Sequence, residues 1–127
     1  MKKIILVMFG IFMACSSNQI YSDSDYKNGK VLKMSAGEIV EFKLDSQPST
    51  GYSWQPSFPQ EKFVLVSNSI IPQKKSVPET GQIEIQLIKI KALIAGESEI
   101  EFNYIKQWEN EKPSQTMKVK VDVIKGL

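Results

Sequence analysis

Hydrophobic and polar residues alternate with a period of two over most of this chain. Within residues 38–44, Val40, Phe42 and Leu44 alternate with Glu41 and Lys43, as in a strand with one face on a core and the other in water. The pattern predicts seven strands, A to G in chain order, at 30–34, 38–44, 52–55, 62–66, 82–92, 98–104 and 117–124. No segment has a convincing helical period.

Seven short strands separated by turn-rich segments predict an all-β fold, an antiparallel β-sandwich of the immunoglobulin type. The hydrophobic phase slips between Leu87 and Ile88, which indicates a bulge or a strand that passes from one sheet to the other.

The direction of the strands predicts where the loops lie. Consecutive antiparallel strands reverse direction, so every second loop falls at the same end of the sandwich. These are the B–C loop at 45–51, the D–E loop at 67–81 and the F–G loop at 105–114. They are also the longest loops, which predicts that this end, here called the binding end, contacts a partner.

The N-terminal segment has the layout of an export signal. Lys2 and Lys3 follow Met1, residues 4–13 are apolar, and Ala14 and Cys15 come next. The apolar run is too short to span a bilayer. A single cysteine at this place resembles the lipobox of bacterial lipoproteins, which implies a lipid on Cys15. The alternative is ordinary cleavage nearby that leaves a free thiol.

We therefore expect a signal peptide of the lipoprotein type at 1–14, a flexible tether at 15–28 and one domain at 29–127. The protein is expected to be an exported lipoprotein of the cell envelope, periplasmic or at the cell surface. It would be secreted if Cys15 carries no lipid. Contact with a membrane is expected only through that anchor.

The composition excludes several functions. The chain has no histidine, which excludes nucleophiles activated by histidine and removes the most common metal ligand. It has 16 basic and 14 acidic residues, and loss of Lys2 and Lys3 with the signal leaves 14 of each. That balance gives no electrostatic case for nucleic acid. We expect no cofactor, no metal site and, with one cysteine, no internal disulfide.

Three glutamates in strand F are candidate catalytic acids. Glu97, Glu99 and Glu101 alternate along the chain, and Ile100, Phe102 and Tyr104 alternate against them. This pattern favours the solvated face of a strand over an acid pair. The chain also lacks a phosphate-binding glycine loop and internal repeats.

The B–C loop carries the most distinctive motif, Gln47-Pro48-Ser49-Thr50-Gly51-Tyr52-Ser53-Trp54. It resembles the signature of the chagasin family of cysteine protease inhibitors, Asn-Pro-Thr-Thr-Gly-Tyr/Phe followed by a tryptophan. Downstream, 78–81 is similar to the family's glycine-containing loop, and 106–108 is similar to its Arg-Pro-Trp motif. The resemblance extends over roughly 29–124.

The resemblance implies a reversible inhibitor that blocks the active-site cleft of papain-family cysteine proteases with three loops and is not cleaved as a substrate. The implied protease-binding residues are Pro48, Ser49, Thr50, Gly51, Tyr52, Glu79, Thr80, Gly81, Lys106, Gln107 and Trp108. Thr50 would lie nearest the catalytic cysteine of the protease, and Trp108 would be a second anchor. We expect a monomer whose partners are these proteases.

The residue types fit these roles. Pro48 restricts the loop before binding, so less conformational entropy is lost on docking. Ser49, Thr50 and Gly51 are small enough for backbone to enter a narrow cleft. Trp108 stands in a polar setting, which favours an interface role over a structural one.

Some of these residues also have a structural interpretation. The sequence Pro-Ser-Thr-Gly is also ordinary turn chemistry. Trp54 is predicted to be a core residue, and Tyr52 is predicted to brace the loop.

The chain departs from the family pattern in three places. Gln47 replaces an asparagine that braces the turn. Lys106 and Gln107 replace Arg-Pro, which removes a planar charged group and a rigid ring. Glu79 and Thr80 stand where small residues are usual. These changes predict a different selectivity among proteases.

Two other functions compete with inhibition. The first is a non-inhibitory binding or adhesion module at the cell surface, because one sandwich fold hosts many roles. The second is an envelope enzyme or its accessory subunit, against which the lack of histidine weighs.

Overall fold

The computed structural model describes residues 19–71, 83–106 and 112–125. They form two four-stranded sheets. The first sheet has the order β1 (Gln19–Ser22), β3 (Ile39–Ser46), β6 (Glu84–Ala92) and β5 (Phe63–Ile71). The second has the order β2 (Leu32–Ser35), β8 (Gln115–Ile124), β7 (Gly96–Lys106) and β4 (Tyr52–Ser57). One short helix, α1 (Asp23–Lys27), and a 3₁₀ turn (Pro48–Thr50) complete the described elements.

The sheets pack face to face, and the predicted immunoglobulin-like sandwich is confirmed. Four of the six strand pairings are antiparallel. The outer pairs β1–β3 and β2–β8 are parallel. Strands β2 to β8 correspond to the predicted strands A to G, so β1 is the additional one.

The core consists of the inward-facing residues of both sheets. Val40, Phe42 and Leu44 are fully buried on β3, as the alternation predicted. Phe42 meets Phe102 of β7 across the interface, with ring centroids 4.9 Å apart. Burial of side chains of this size stabilises the fold by about 1.5–3 kcal/mol each. The predicted core position of Trp54 is also confirmed.

The predicted irregularity in strand E, now β6, is wrong. Strand β6 pairs with β3 in continuous register from Glu84 to Lys91. The apparent slip arises because Gln86, a polar residue, occupies a core position in an otherwise regular alternation. The register shift lies instead in the neighbouring strand β5, between Leu65 and Ser67.

The prediction of a flexible tether is wrong for residues 19–28. Strand β1 pairs with β3, and Tyr21 is buried while its hydroxyl donates to the Lys30 carbonyl at 2.7 Å. Helix α1 follows at once, with the Ser22 amide donating to the Asp25 carboxylate at 2.9 Å. A strand of four residues with one buried side chain gives too little alternation to be seen in the sequence. The signal and the rest of the tether, 1–18, lie outside the described residues.

The positions of the described strand ends confirm the prediction that the three loops lie at the same end of the sandwich. The last residue of β3, Ser46, pairs with Glu84 at the start of β6, and β5 ends beside the same strand with Ile71 opposite Ile85. In the second sheet, β4 begins opposite the end of β7, with Tyr52 paired with Lys106. All three predicted loops therefore begin and end at one pole, the binding end.

The opposite pole, here called the far end, is formed by the short connections at 36–38 and 93–95. They are joined by a bond from the Gly37 amide to the Ala92 carbonyl at 2.8 Å. The strands are slightly longer than predicted, so the binding-end connections shorten to 47–51, 72–83 and 107–114.

Candidate functional site

The B–C loop is a closed 3₁₀ turn over Pro48–Thr50. The amides of Thr50 and Gly51 donate to the carbonyls of Gln47 and Pro48 at 3.0 and 2.9 Å, and the Thr50 hydroxyl donates to the Gln47 carbonyl at 2.6 Å. Proline at the start favours this turn because its φ is fixed near the helical value. Gly51 ends it with φ of 91°, a left-handed conformation that side chains disfavour.

The base of the loop is fixed to both sheets. The Trp54 indole Nε1 donates to the Asp45 carbonyl at 2.9 Å, which joins the strands that flank the loop. The Gln47 amide donates to the Tyr104 hydroxyl of β7 at 2.9 Å. Because both ends of a five-residue loop are held, Ser49 and Thr50 are presented to solvent on a defined backbone.

A row of aromatic rings supports the loop from below. The Tyr52 ring stacks on Tyr104, with centroids 5.2 Å apart and planes 18° from parallel, and Tyr104 contacts Trp54 at 4.8 Å. The Lys106 ammonium lies 5.2 Å from the Tyr52 ring centroid, within the range of a cation–π contact. The structure thus brings Lys106 beside the B–C loop, and Tyr52 has the contacts of a brace.

Gln86 is a supporting residue that the sequence interpretation missed. Its side chain is 2% exposed and points from the first sheet to β4, the edge strand of the second. Its Oε1 accepts from the Trp54 amide, and its Nε2 donates to the Trp54 carbonyl and to the Asn68 side chain, each at 2.8 Å. The signal was present as the phase slip, because a polar residue stood where the alternation required an apolar one.

An open cleft of about 410 Å³ lies beside the loop base, between α1 and the ends of β3, β7 and β8. Asp23 of α1 lines it and accepts the Asp45 amide at 3.0 Å, so the N-terminal segment also supports the strand that enters the B–C loop. Burial raises the pKa of Asp23. The Asp45 amide and the charge of Lys27 act in the opposite direction.

The structure brings six of the predicted site residues together at the binding end: Pro48, Ser49, Thr50, Gly51, Tyr52 and Lys106. The other five, Glu79, Thr80, Gly81, Gln107 and Trp108, lie outside the described residues, as does Cys15. Their roles stay predictions.

The described part of the chain has neither a metal-site cluster nor a membrane-spanning helix. It contains no group of three or more His, Cys, Asp or Glu side chains arranged to hold a metal ion. None of its helices is long and apolar enough to span a bilayer.

Glu97, Glu99 and Glu101 lie on the outer face of β7, as predicted. Their neighbours Ile100 and Phe102 are buried. Glu99 and Glu101 stand opposite Lys120 and Lys118 of β8, respectively. This is a surface ladder of alternating charge, which does not form a catalytic pair.

Comparison with known proteins gives a consistent family. Residues 33–123 match the family described as "Chagasin family peptidase inhibitor I42". Amoebiasin-2 of Entamoeba histolytica is 24% identical over 106 residues, which cover 84% of this chain and 86% of that protein. Chagasin of Trypanosoma cruzi is 30% identical over 86 residues, which cover 64% and 76%.

A solved structure has the same fold. The crystal structure of the cysteine protease inhibitor EhICP2 from Entamoeba histolytica superposes with a TM-score of 0.69 at 23% identity. The superposition covers 84% of this chain and 94% of that one.

Proposed function

This chain belongs to the chagasin family of peptidase inhibitors, and on that premise we propose that its binding end closes the active-site cleft of papain-like cysteine proteases. It is an inhibitor rather than an enzyme. The observation that carries the loop mechanism is the closed, doubly anchored B–C turn with small exposed residues at its tip.

A preformed turn suits a blocking loop for an energetic reason. Binding requires the interface backbone and side chains to be ordered, and a loop already ordered in the free protein loses less entropy. The bonds from Thr50 and Gly51 to Gln47 and Pro48 fix the tip before docking. Small side chains at 49–51 then let the backbone approach the catalytic cysteine closely.

The same turn explains how the loop escapes cleavage. A substrate lies extended in a protease cleft, whereas the amides at 50 and 51 are bonded back within the 3₁₀ turn. Opening the turn would break those bonds and the link from Thr50 Oγ1 to the Gln47 carbonyl. The loop therefore fills the cleft without presenting an extended peptide bond.

Lys106 and the two other predicted loops complete the surface. Lys106 lies over the Tyr52 ring, so its charge stands next to the B–C tip. We propose that Gln107 and Trp108 continue this surface and that 79–81 contact the opposite side of the cleft. Trp108 would supply the large apolar anchor that such interfaces concentrate at a few positions.

Inhibition is tested by titrating papain and a cathepsin-type protease with residues 16–127 while hydrolysis of a fluorogenic peptide is followed. We expect stoichiometric loss of activity that is recovered on dilution. Full activity of both enzymes at micromolar excess would contradict the proposal and favour the binding-module alternative.

We also propose that the protein is a monomeric lipoprotein of the cell envelope with its lipid on Cys15. The basic and apolar residues before Cys15 support export, and the position of the cysteine supports lipidation. Mass spectrometry of the cell-made protein tests both points. The expected N-terminal peptide begins at Cys15 and carries an added lipid mass, while an unmodified Cys15 would indicate a secreted form.

A further inference from the structure

We infer that the far end of the sandwich is a membrane-docking face, so that the anchored protein stands with its binding end directed away from the bilayer. The inference rests on the lipidation of Cys15 proposed above. It follows from where the chain enters the fold and from the exposed side chains at that end.

The chain enters the fold at the far end. Gln19, the first residue of β1, pairs with Val40 near the start of β3, and β1 then runs parallel to β3 towards the binding end. The Gln19 amide nitrogen Nε2 donates to the Lys33 carbonyl at 2.8 Å and to the Glu38 carboxylate at 3.3 Å. These bonds tie the entry point to the far-end connection at 36–38.

The anchor cannot reach far from this point. Cys15 precedes Gln19 by four residues, and an extended chain spans at most about 3.6 Å per residue, or about 14 Å in all. Strand β3 continues from Val40, opposite Gln19, for six more residues to Ser46, which at about 3.3 Å each is roughly 20 Å. A lipid on Cys15 therefore lies near the far end and cannot reach the B–C loop.

Exposed aliphatic side chains lie at the same end as the entry point. Leu93 and Ile94 in the connection between β6 and β7 are 43% and 47% exposed, and Ile124 at the end of β8 is 54% exposed. The connection at 36–38 adjoins both, because the Gly37 amide donates to the Ala92 carbonyl at 2.8 Å and the Ala36 amide to the Ile124 carbonyl at 2.9 Å. Such side chains are unfavourable in water and favourable at the boundary between lipid headgroups and acyl chains.

The charges at the far end are balanced. Among the described residues, four lysines and four carboxylates lie near it, which sum to zero: Lys33, Lys62, Lys91, Lys125, Glu38, Glu61, Glu97 and Asp122. Attraction to anionic lipid is therefore weak. The contact depends on the apolar side chains, and neutral vesicles are the appropriate probe.

The test uses the single cysteine of the mature chain. Residues 15–127 are coupled through Cys15 to a maleimide lipid in phosphatidylcholine vesicles, in a Trp108→Phe background that leaves Trp54 as the native tryptophan. One variant adds Leu93→Trp at the far end. The matched control adds Ile83→Trp, an equally apolar position that is 52% exposed at the binding end. Brominated lipids, which quench tryptophan at contact range, report which end touches the bilayer.

We expect the added emission of Leu93→Trp to shift to shorter wavelength and to lose about half of its intensity with brominated lipid, since interfacial side chains sit within the reach of the acyl bromines. Ile83→Trp should be unaffected. Ile124→Trp provides a second far-end reporter if Leu93→Trp fails to fold. Equal quenching at both ends, or no quenching at the far end, would overturn the inference.

Inhibition and lipidation are measured separately from membrane contact. Papain titration of vesicles that carry residues 15–127 with Trp108 intact reports inhibition, and a far-end contact without inhibition would support the docking face while contradicting the proposed function. Because Cys15 is coupled to the lipid chemically, the quenching result does not depend on whether a cell lipidates Cys15. The mass of the N-terminal peptide answers that separate question.

Discussion

Replacing Gln86 with leucine tests the link that fixes the edge strand next to the B–C loop. Leucine matches the glutamine in size but has no hydrogen-bonding group. The change therefore leaves the Trp54 amide and carbonyl without the partners they have at 2.8 Å in the folded protein. Asn68 is exposed and can bond to water instead.

The expected magnitude follows from those two backbone groups. A buried donor or acceptor left without a partner costs about 1–3 kcal/mol. Two such groups, offset in part because leucine is easier to bury than an amide, give a loss of about 2–3 kcal/mol in the free energy of unfolding. For a domain of this size that corresponds to a fall in Tm of roughly 10–15 °C.

Urea denaturation followed by tryptophan fluorescence and circular dichroism measures the change. The matched control is Gln55→Leu on β4, where the side chain is half-buried and donates to the Ser53 hydroxyl at 3.2 Å. That variant should differ from wild type by less than about 0.5 kcal/mol. A loss below about 1 kcal/mol for Gln86→Leu would refute the reasoning, because it would show that β4 does not depend on this cross-sheet link.

Three further predictions concern the binding end. Thr50→Arg should raise the inhibition constant for papain at least about 100-fold through a clash in the cleft. Thr50→Val, which removes the hydroxyl's bonds to the Gln47 carbonyl and from the Tyr52 amide, should have a much smaller effect; equal losses would assign the effect to loop shape. Trp108→Ala should weaken binding by about 2 kcal/mol, or roughly 30-fold, and a loss within experimental error would place Trp108 at the rim. Burial raises the pKa of Asp23 above its ordinary value of 3.8. Protonated Asp23 therefore stabilises the fold at pH values below 3.8, and this stabilisation is lost as the pH rises through the pKa of Asp23 in the folded protein. Asp23→Asn should remove this pH dependence. The free energies of unfolding of both proteins are measured from pH 3.5 to 7, and a difference between them that stays constant across this range would contradict the prediction.

The sequence predicted the parts of the fold that depend on regular alternation. Strands such as β3 and β8 have apolar residues on one face and charged residues on the other, which fixes which side meets the core. The prediction that three loops lie at one end followed only from the order of the strands, because consecutive strands reverse direction. The turn at 48–51 was recognisable because proline and glycine each favour the backbone conformation found there.

The departures have local physical reasons. The sequence pattern treats Gln86 as an interruption, since only the three-dimensional structure shows that Trp54 supplies partners for a buried amide. Strand β1 contributes one core residue, Tyr21, and its remaining stability comes from pairing with a strand about twenty positions later. The bulge in β5 lies in an edge strand where Val64, Leu65 and Val66 are all exposed, so no alternation marked it.

The most direct test of the account asks whether the bound inhibitor covers the catalytic thiol of the protease. Papain is mixed with residues 16–127 at increasing ratios, and the rate at which iodoacetamide alkylates its active-site cysteine is measured by mass spectrometry. Occlusion by the B–C loop predicts protection that is complete at one inhibitor per enzyme, and Thr50→Arg should not protect. Alkylation at the full rate by an enzyme that is demonstrably bound to the inhibitor would contradict the account, because the inhibitor would then act from outside the cleft.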